Sequence, residues 1–129
     1  MSSLSPLTGF CNMLVRFFEE LKTTFPEQRE ISAALETIQG AKRINPRLIL
    51  DMFYENVTKH LKEAIAKEDV DYIVSYGRMK INQQYNEIMS AITIFDNHWA
   101  GLSDSNRSAI WKYLKVLVAL SEKAQSDRI

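Results

Sequence analysis

The chain of 129 residues lacks most features that would assign it to a specialised class of protein. Its one cysteine, Cys11, excludes an internal disulfide, and a structural zinc site normally needs a second sulfur ligand. Four glycines and three prolines leave little room for disordered linkers, and no glycine-rich phosphate loop is present. No stretch approaches the roughly 18 uncharged apolar residues that span a bilayer. The sequence therefore predicts an ordinary soluble globular domain.

The chain also has no excess of charge of either sign, because 16 Lys and Arg residues balance 16 Asp and Glu residues. The molecule as a whole therefore exerts no strong long-range attraction on nucleic acids. The first 18 residues have no basic start and are interrupted by Asn12 and Arg16, so they make a poor secretory signal. We expect an unprocessed protein suited to a reducing cytosol.

Apolar residues recur at the three-and-four spacing of a helical face along most of the chain, and no run alternates with the period of a strand. This pattern predicts an all-α fold, a compact bundle of five or six mostly antiparallel helices with the C-terminal helix at its centre. We expect a single domain over residues 1–129, with frayed ends at 1–6 and 125–129.

Local signals set the expected helix boundaries. The predicted caps or first residues of helices are Thr8, Pro26, Asn45-Pro46, Asp69 and Ser103. A short helix after Asp69 is expected to stop near Gly77, and a long amphipathic helix is expected from Ile81 to Trp99.

The first and last helices have unusually wide apolar faces. In the last helix a second stripe adjoins the main one, and the two together sweep roughly 200° of the helix. A chain of this size has limited interior to cover such faces, so part of them is expected to meet another protein chain. The predicted interface residues are Val15, Phe18, Trp111, Tyr113, Val116 and Leu120.

Basic residues flank the predicted helix start at Asn45-Pro46. Lys42, Arg43 and Arg47 lie where free backbone amides already favour anions, and Lys112 and Lys115 extend the set. They support an alternative hypothesis, a nucleic-acid-associated factor, although the apolar residues after Arg47 leave few polar side chains to read bases. A solvated, charged loop is the simpler interpretation.

The residues that most often carry out catalysis are few. His60 and Glu63 have the spacing of a shared metal site, but a di-metal bundle needs a second such pair, which is absent. Asp96 and His98 point to different sides of a helix, and Cys11 lies among apolar residues that favour a buried, unreactive thiol. We therefore expect no catalytic residues, no metal and no cofactor, although dispersed carboxylates would escape this reasoning.

Several short segments resemble a group of uncharacterised small helical proteins of large nucleocytoplasmic DNA viruses. These segments are Phe25-Pro26-Glu27, Ile44-Asn45-Pro46, Ile65 to Asp69, Trp99-x-x-Leu102-Ser103, and Ile110 to Leu114 followed by Leu117. The resemblance implies a viral origin and helical character, and it assigns no catalytic residues.

Together, the wide apolar faces and this resemblance predict a non-enzymatic helical interaction protein, a minor structural or assembly component of a large DNA virus. Its expected partner is itself or another viral protein, with no membrane span. Its expected location is the host cytoplasm or the virion, without secretion.

Overall fold

Helices make up almost all of the chain that the computed structural model describes, which is residues 5–83 and 98–126. The α-helices are α1 (Pro6–Thr24), α2 (Arg29–Ile44), α3 (Pro46–Phe53), α4 (Lys59–Lys67), α5 (Val70–Gln83) and α6 (Asp104–Ser126). A π-helical segment, Tyr54–Thr58, joins α3 to α4, and a short 3₁₀ helix, Trp99–Gly101, precedes α6. No strand occurs in these two ranges, and the all-α prediction is confirmed.

The first helix begins earlier than its sequence signals predict. Ser5, and not Thr8, is the cap: its hydroxyl accepts a hydrogen bond from the Thr8 amide at 3.1 Å, and Pro6 occupies the first helical position. Proline fits there because the amide it lacks would have no partner in the first turn. Ser5 and Pro6, which belong to the end predicted to fray, are therefore ordered as the start of α1.

The connections on either side of α2 follow two different rules. Pro26 lies in a turn and α2 begins at Arg29, so the prediction that Pro26 starts this helix is wrong. Asn45 and Pro46 do occupy the cap and first positions of α3, although the Asn45 side chain makes no capping hydrogen bond. The α2–α3 connection is consequently a single residue.

The π-helical segment divides the helix that the apolar period predicts from Pro46 onward. A π turn leaves backbone carbonyls without their usual helical partner. Two side chains compensate: Tyr76 Oη donates to the Asn56 carbonyl at 2.7 Å, and Asn56 Nδ2 donates to the Met52 carbonyl at 2.9 Å. Buried apolar residues before and after the segment keep α3 and α4 on the same core.

The helix after Asp69 is longer than predicted. The Asp69 carboxylate accepts from the Tyr72 amide at 3.1 Å, which confirms it as a cap. However, α5 continues through Gly77 to Gln83. Glycine inside a helix costs about 1 kcal/mol, and burial of Ile73 and Tyr76 on α5 outweighs this. Most of the helix predicted from Ile81 to Trp99 lies outside the described residues.

The last helix occupies the centre of the bundle, as predicted. Ser103 caps α6 by accepting from the Asn106 amide at 3.1 Å. The helix packs against α1, α3, α4 and the π-helical segment, and Leu117 at its middle is fully buried. Near its end, Gln125 Nε2 donates to Asp51 Oδ1 at 3.0 Å, so fraying does not begin at residue 125.

An aromatic cluster holds the start of α6 in place. Trp99 packs edge-on against Trp111, with ring centroids 5.3 Å apart. Arg107 lies over the Trp99 ring, 5.6 Å from its centroid, and its guanidinium donates to the Trp99 and Ala100 carbonyls at 3.1 and 3.0 Å. These contacts bind the 3₁₀ helix to the first two turns of α6.

Candidate functional site

The wide apolar faces of α1 and α6 largely cover each other. The two helices pack against each other, and the inward residues of both are buried. Phe18 is 1% exposed and Trp111 is 6% exposed. The prediction that these two side chains face a partner is corrected accordingly, because the chain's own packing already removes both from water.

Of the remaining predicted interface residues, Tyr113 and Val116 line the surface between α1 and α6. Val15, Tyr113 and Leu120 are half-buried against the core, and the Tyr113 ring packs on Phe17 with centroids 5.3 Å apart. Val116 is the most open of them, at 37% exposure. The expected contact with another chain stays a prediction, and the apolar surface open to it is a narrow strip around Tyr113 and Val116.

That strip forms a shallow groove of about 280 Å³ between α1 and α6. Its lining residues are Met13, Arg16, Ala109, Lys112, Tyr113 and Val116. The surface of this α1–α6 groove is mainly apolar, while Arg16 on one helix and Lys112 on the other supply positive charge at its edges. The geometry suits an apolar side chain or a short helical face carried by a molecule with acidic flanks.

The second candidate surface is the corner where α2 meets α3, here called the α2–α3 tip and defined as residues 42–48. Lys42 is half-buried, and Arg43 and Arg47 are exposed. Residues 37–50 contain these three cations and no Asp or Glu. Among the described residues none of the three takes part in an ion pair. The tip is thus a local excess of positive charge on a neutral protein.

Two aliphatic side chains project from the same tip. Ile44 is 86% exposed and Leu48 is 49% exposed. Sequence reasoning missed both, although the helical period contains the signal. Leu48 lies roughly 150° around the helix from the centre of the face that α3 buries, and Ile44 lies roughly 130° from the centre of the α2 face.

Lys112 and Lys115 belong to a different part of the molecule from the tip. Lys115 Nζ lies 2.7 Å from Glu68 Oε2, at the end of α4, and Lys112 lines the α1–α6 groove. The residues predicted to share one anion-binding surface therefore lie on separate elements, and one of them already has a carboxylate partner.

A larger cleft of about 590 Å³ lies between α4 and the start of α5. Its charged residues are of both signs, and Lys62 pairs with Glu122 at 2.6 Å across it. His60 stacks on Tyr76 with ring centroids 5.3 Å apart. The described residues contain no group of three potential metal ligands, so His60 and Glu63 have no third ligand there.

Two buried polar groups are held in unreactive states. Burial raises the pKa of the Cys11 thiol, although Lys42 opposes this, and its Sγ lies 3.8 Å from the Pro46 carbonyl. Burial, with a smaller contribution from Tyr72, raises the pKa of Tyr76 to about 12. Neither group has the low pKa that nucleophilic or general-base chemistry near neutral pH requires.

Within the described ranges, no helix has the length and apolar character needed to cross a membrane. Comparisons of the chain with protein-family models, with curated proteins and with solved structures find no match. The viral resemblance consequently remains a prediction from short sequence segments, and the α1–α6 groove and the α2–α3 tip are the surfaces from which a function can be argued.

Proposed function

We propose that this protein is a non-enzymatic interaction module that binds an amphipathic helix of another protein in the α1–α6 groove. The observation that carries the proposal is the exposed apolar strip around Val116, bordered by Arg16 and Lys112. Helix-in-groove recognition uses an apolar stripe on the ligand, and charges at the rim select its flanking residues. The rim here selects acidic flanks.

The limited depth of the groove sets the expected strength. A groove of about 280 Å³ accepts one or two anchor side chains, well below the lining of a stable, obligate interface. Most of the apolar surface that would strengthen a complex is already buried between α1 and α6. The contact we propose is therefore reversible and depends strongly on the anchor over Val116.

Charge favours a different protein over a second copy. In a two-fold contact centred on the groove, Arg16 and Lys112 would lie near the same cations of the other copy. Like charges at close range cost affinity unless acidic residues intervene. An acidic partner helix avoids this cost. From the viral resemblance we propose that the module is a minor structural or assembly component of a virus particle.

The test compares variants that change one surface only. The tagged protein, Val116→Asp and a control, Tyr72→Asp, are purified from the cells that produce it, and co-purifying proteins are identified. Tyr72 is a suitable control because it is an exposed apolar residue on a different helix. A partner carried by the wild type and the control, but absent with Val116→Asp, identifies the ligand.

The purified pair is then measured by calorimetry. A carboxylate placed in an apolar contact costs about 2 kcal/mol or more, so Val116→Asp is expected to weaken binding at least about 30-fold. Lys112→Glu places a negative charge beside the acidic flanks of the partner, so it should also weaken binding. The loss of affinity should grow as salt is lowered, because the repulsion is then less screened. A partner that binds Val116→Asp as tightly as the wild type would rule out the groove.

A further inference from the structure

The α2–α3 tip combines two properties that seldom occur together on a soluble surface. Three cations, Lys42, Arg43 and Arg47, lie in a stretch without a carboxylate, and Ile44 and Leu48 are exposed in the same segment. From this combination we infer that the tip binds the surface of a membrane rich in anionic phospholipids. Ile44 and Leu48 enter the boundary below the headgroups, and the cations contact the phosphates.

The shape of the tip excludes the main alternatives. A side chain that is 86% exposed, as Ile44 is, stands clear of its neighbours and offers no groove for a partner to fill. Residues 44 and 48 are at most about 14 Å apart along the chain, so the apolar area is far below the roughly 800 Å² per partner of a standard protein interface. A lipid surface needs no such complementary shape.

Nucleic acid would explain the cations but not the aliphatic residues. Phosphate contacts are made by Lys and Arg, and base reading requires polar side chains that reach into a groove. Ile44 and Leu48 would remain in water, or block the approach of the arginines, on a duplex. On a bilayer the same two side chains leave water, which adds to the attraction of the charges.

The local fold keeps the tip in this arrangement. Pro46 at the first position of α3 and the bond from the Leu48 amide to the Asn45 carbonyl, 3.1 Å, set the turn between the two helices. Behind it, Ile49 and Leu50 are buried and anchor α3 to the core. The exposed side chains are thus presented by a rigid corner, which limits the entropy lost on binding.

The experiment is co-sedimentation of the full chain with vesicles. One set contains phosphatidylcholine alone and the other contains about 30% phosphatidylserine, at about 100 mM salt. We expect binding to the anionic vesicles and much weaker binding to the neutral ones. Each cation near an anionic leaflet contributes about five-fold to affinity, so Arg43→Gln/Arg47→Gln should lose about 25-fold.

The decisive variant is the one that removes the aliphatic contacts with the membrane. Ile44→Ser/Leu48→Ser keeps every charge and is expected to lose at least about 10-fold in binding to the anionic vesicles. The matched controls are Lys22→Gln/Lys67→Gln for charge and Tyr72→Ser/Met79→Ser for exposed apolar area, and both should bind like the wild type. Because all these residues are exposed, circular dichroism should show unchanged folding.

Three results would overturn the inference. The first is no binding to anionic vesicles, and the second is binding that Ile44→Ser/Leu48→Ser leaves intact or that the controls lose equally. The third is tighter binding to a short DNA duplex that is insensitive to Ile44→Ser/Leu48→Ser, which would favour a nucleic-acid partner. None of these results bears on Val116, so failure here is distinguishable from failure of the α1–α6 groove.

Discussion

A buried pair of hydroxyl groups connects the π-helical segment to the central helix, and its polarity makes a sharp prediction. Thr58 Oγ1 and Ser121 Oγ lie 2.7 Å apart, and Ser121 Oγ also donates to the Val118 carbonyl at 2.8 Å. Since the Ser121 hydroxyl has one proton and directs it to Val118, Thr58 must donate to Ser121. The hydrogen bonds therefore run in one direction, from the Thr58 hydroxyl of the π-helical segment through Ser121 to the Val118 carbonyl of α6.

This direction makes the two deletions unequal. Ser121→Ala leaves the buried Thr58 hydroxyl without its acceptor, at an expected cost of about 1–3 kcal/mol in the free energy of unfolding. Thr58→Val leaves Ser121 still donating to Val118, so we expect a cost below about 1 kcal/mol. With both hydroxyls replaced, no unpaired donor remains, and the double variant should be less destabilised than the sum of the single variants.

Urea unfolding followed by circular dichroism measures these differences, with an unchanged m-value showing that the same surface unfolds. Ser108→Ala, an exposed site on α6, corrects for the higher helix propensity of alanine. Thr23→Val, whose hydroxyl bonds the Glu19 carbonyl on the surface, controls for loss of an exposed threonine and should stay within about 0.5 kcal/mol. Equal single effects that add in the double variant would refute the directed chain of bonds.

Three further predictions use other parts of the bundle. Tyr76→Phe removes the 2.7 Å bond to the Asn56 carbonyl and should destabilise by about 1 kcal/mol in urea. Because the native state keeps the Tyr76 proton up to a pKa of about 12 while the unfolded state loses it near 10, wild-type stability should fall as pH rises through this window. Ultraviolet titration of the native protein should show a late tyrosine signal that is absent in Tyr76→Phe. Arg107→Ala should cost about 1–2 kcal/mol and change the near-ultraviolet dichroism of the Trp99 and Trp111 pair, and a spectrum identical to that of the wild type would contradict the role given to Arg107. Cys11, buried and with a raised pKa, should react with a disulfide reagent at least about 100-fold more slowly in the native than in the urea-unfolded protein; rapid labelling would show that α1 opens there.

Capping residues were predictable where the chain offers one competent side chain in the right place. Ser103, Asp69 and Asn45 each occupy the position expected of them, because the apolar period that follows leaves little choice of start. At α1 the cap could not be predicted, because both Ser5 and Thr8 have suitable oxygens. There the choice falls to Ser5, since Pro6 next to it is preorganised for the first helical turn.

Interface residues could be predicted only in part, for a different reason. Periodicity identifies the face of α1 that carries Phe18 and the face of α6 that carries Val116. It does not show which neighbouring helix, if any, covers each face. Phe18 is covered and Val116 is not, because α1 and α6 pack against each other along their principal stripes. Ile44 and Leu48 lie off the apolar stripes of their helices, but periodicity alone does not show that no other part of the chain covers them.

The amino-acid sequence by itself determined the all-α class, the approximate position of most described helices and the small number of histidines and cysteines. Those properties depend on spacing and composition, which act within one or two helical turns. Only the tertiary structure decided that α6 is wrapped by α1, α3 and α4, that Thr58 meets Ser121, and that Ile44 and Leu48 project beside the arginines. These outcomes depend on which helices bury each other's apolar faces. The contacts that decide this join segments far apart in the chain.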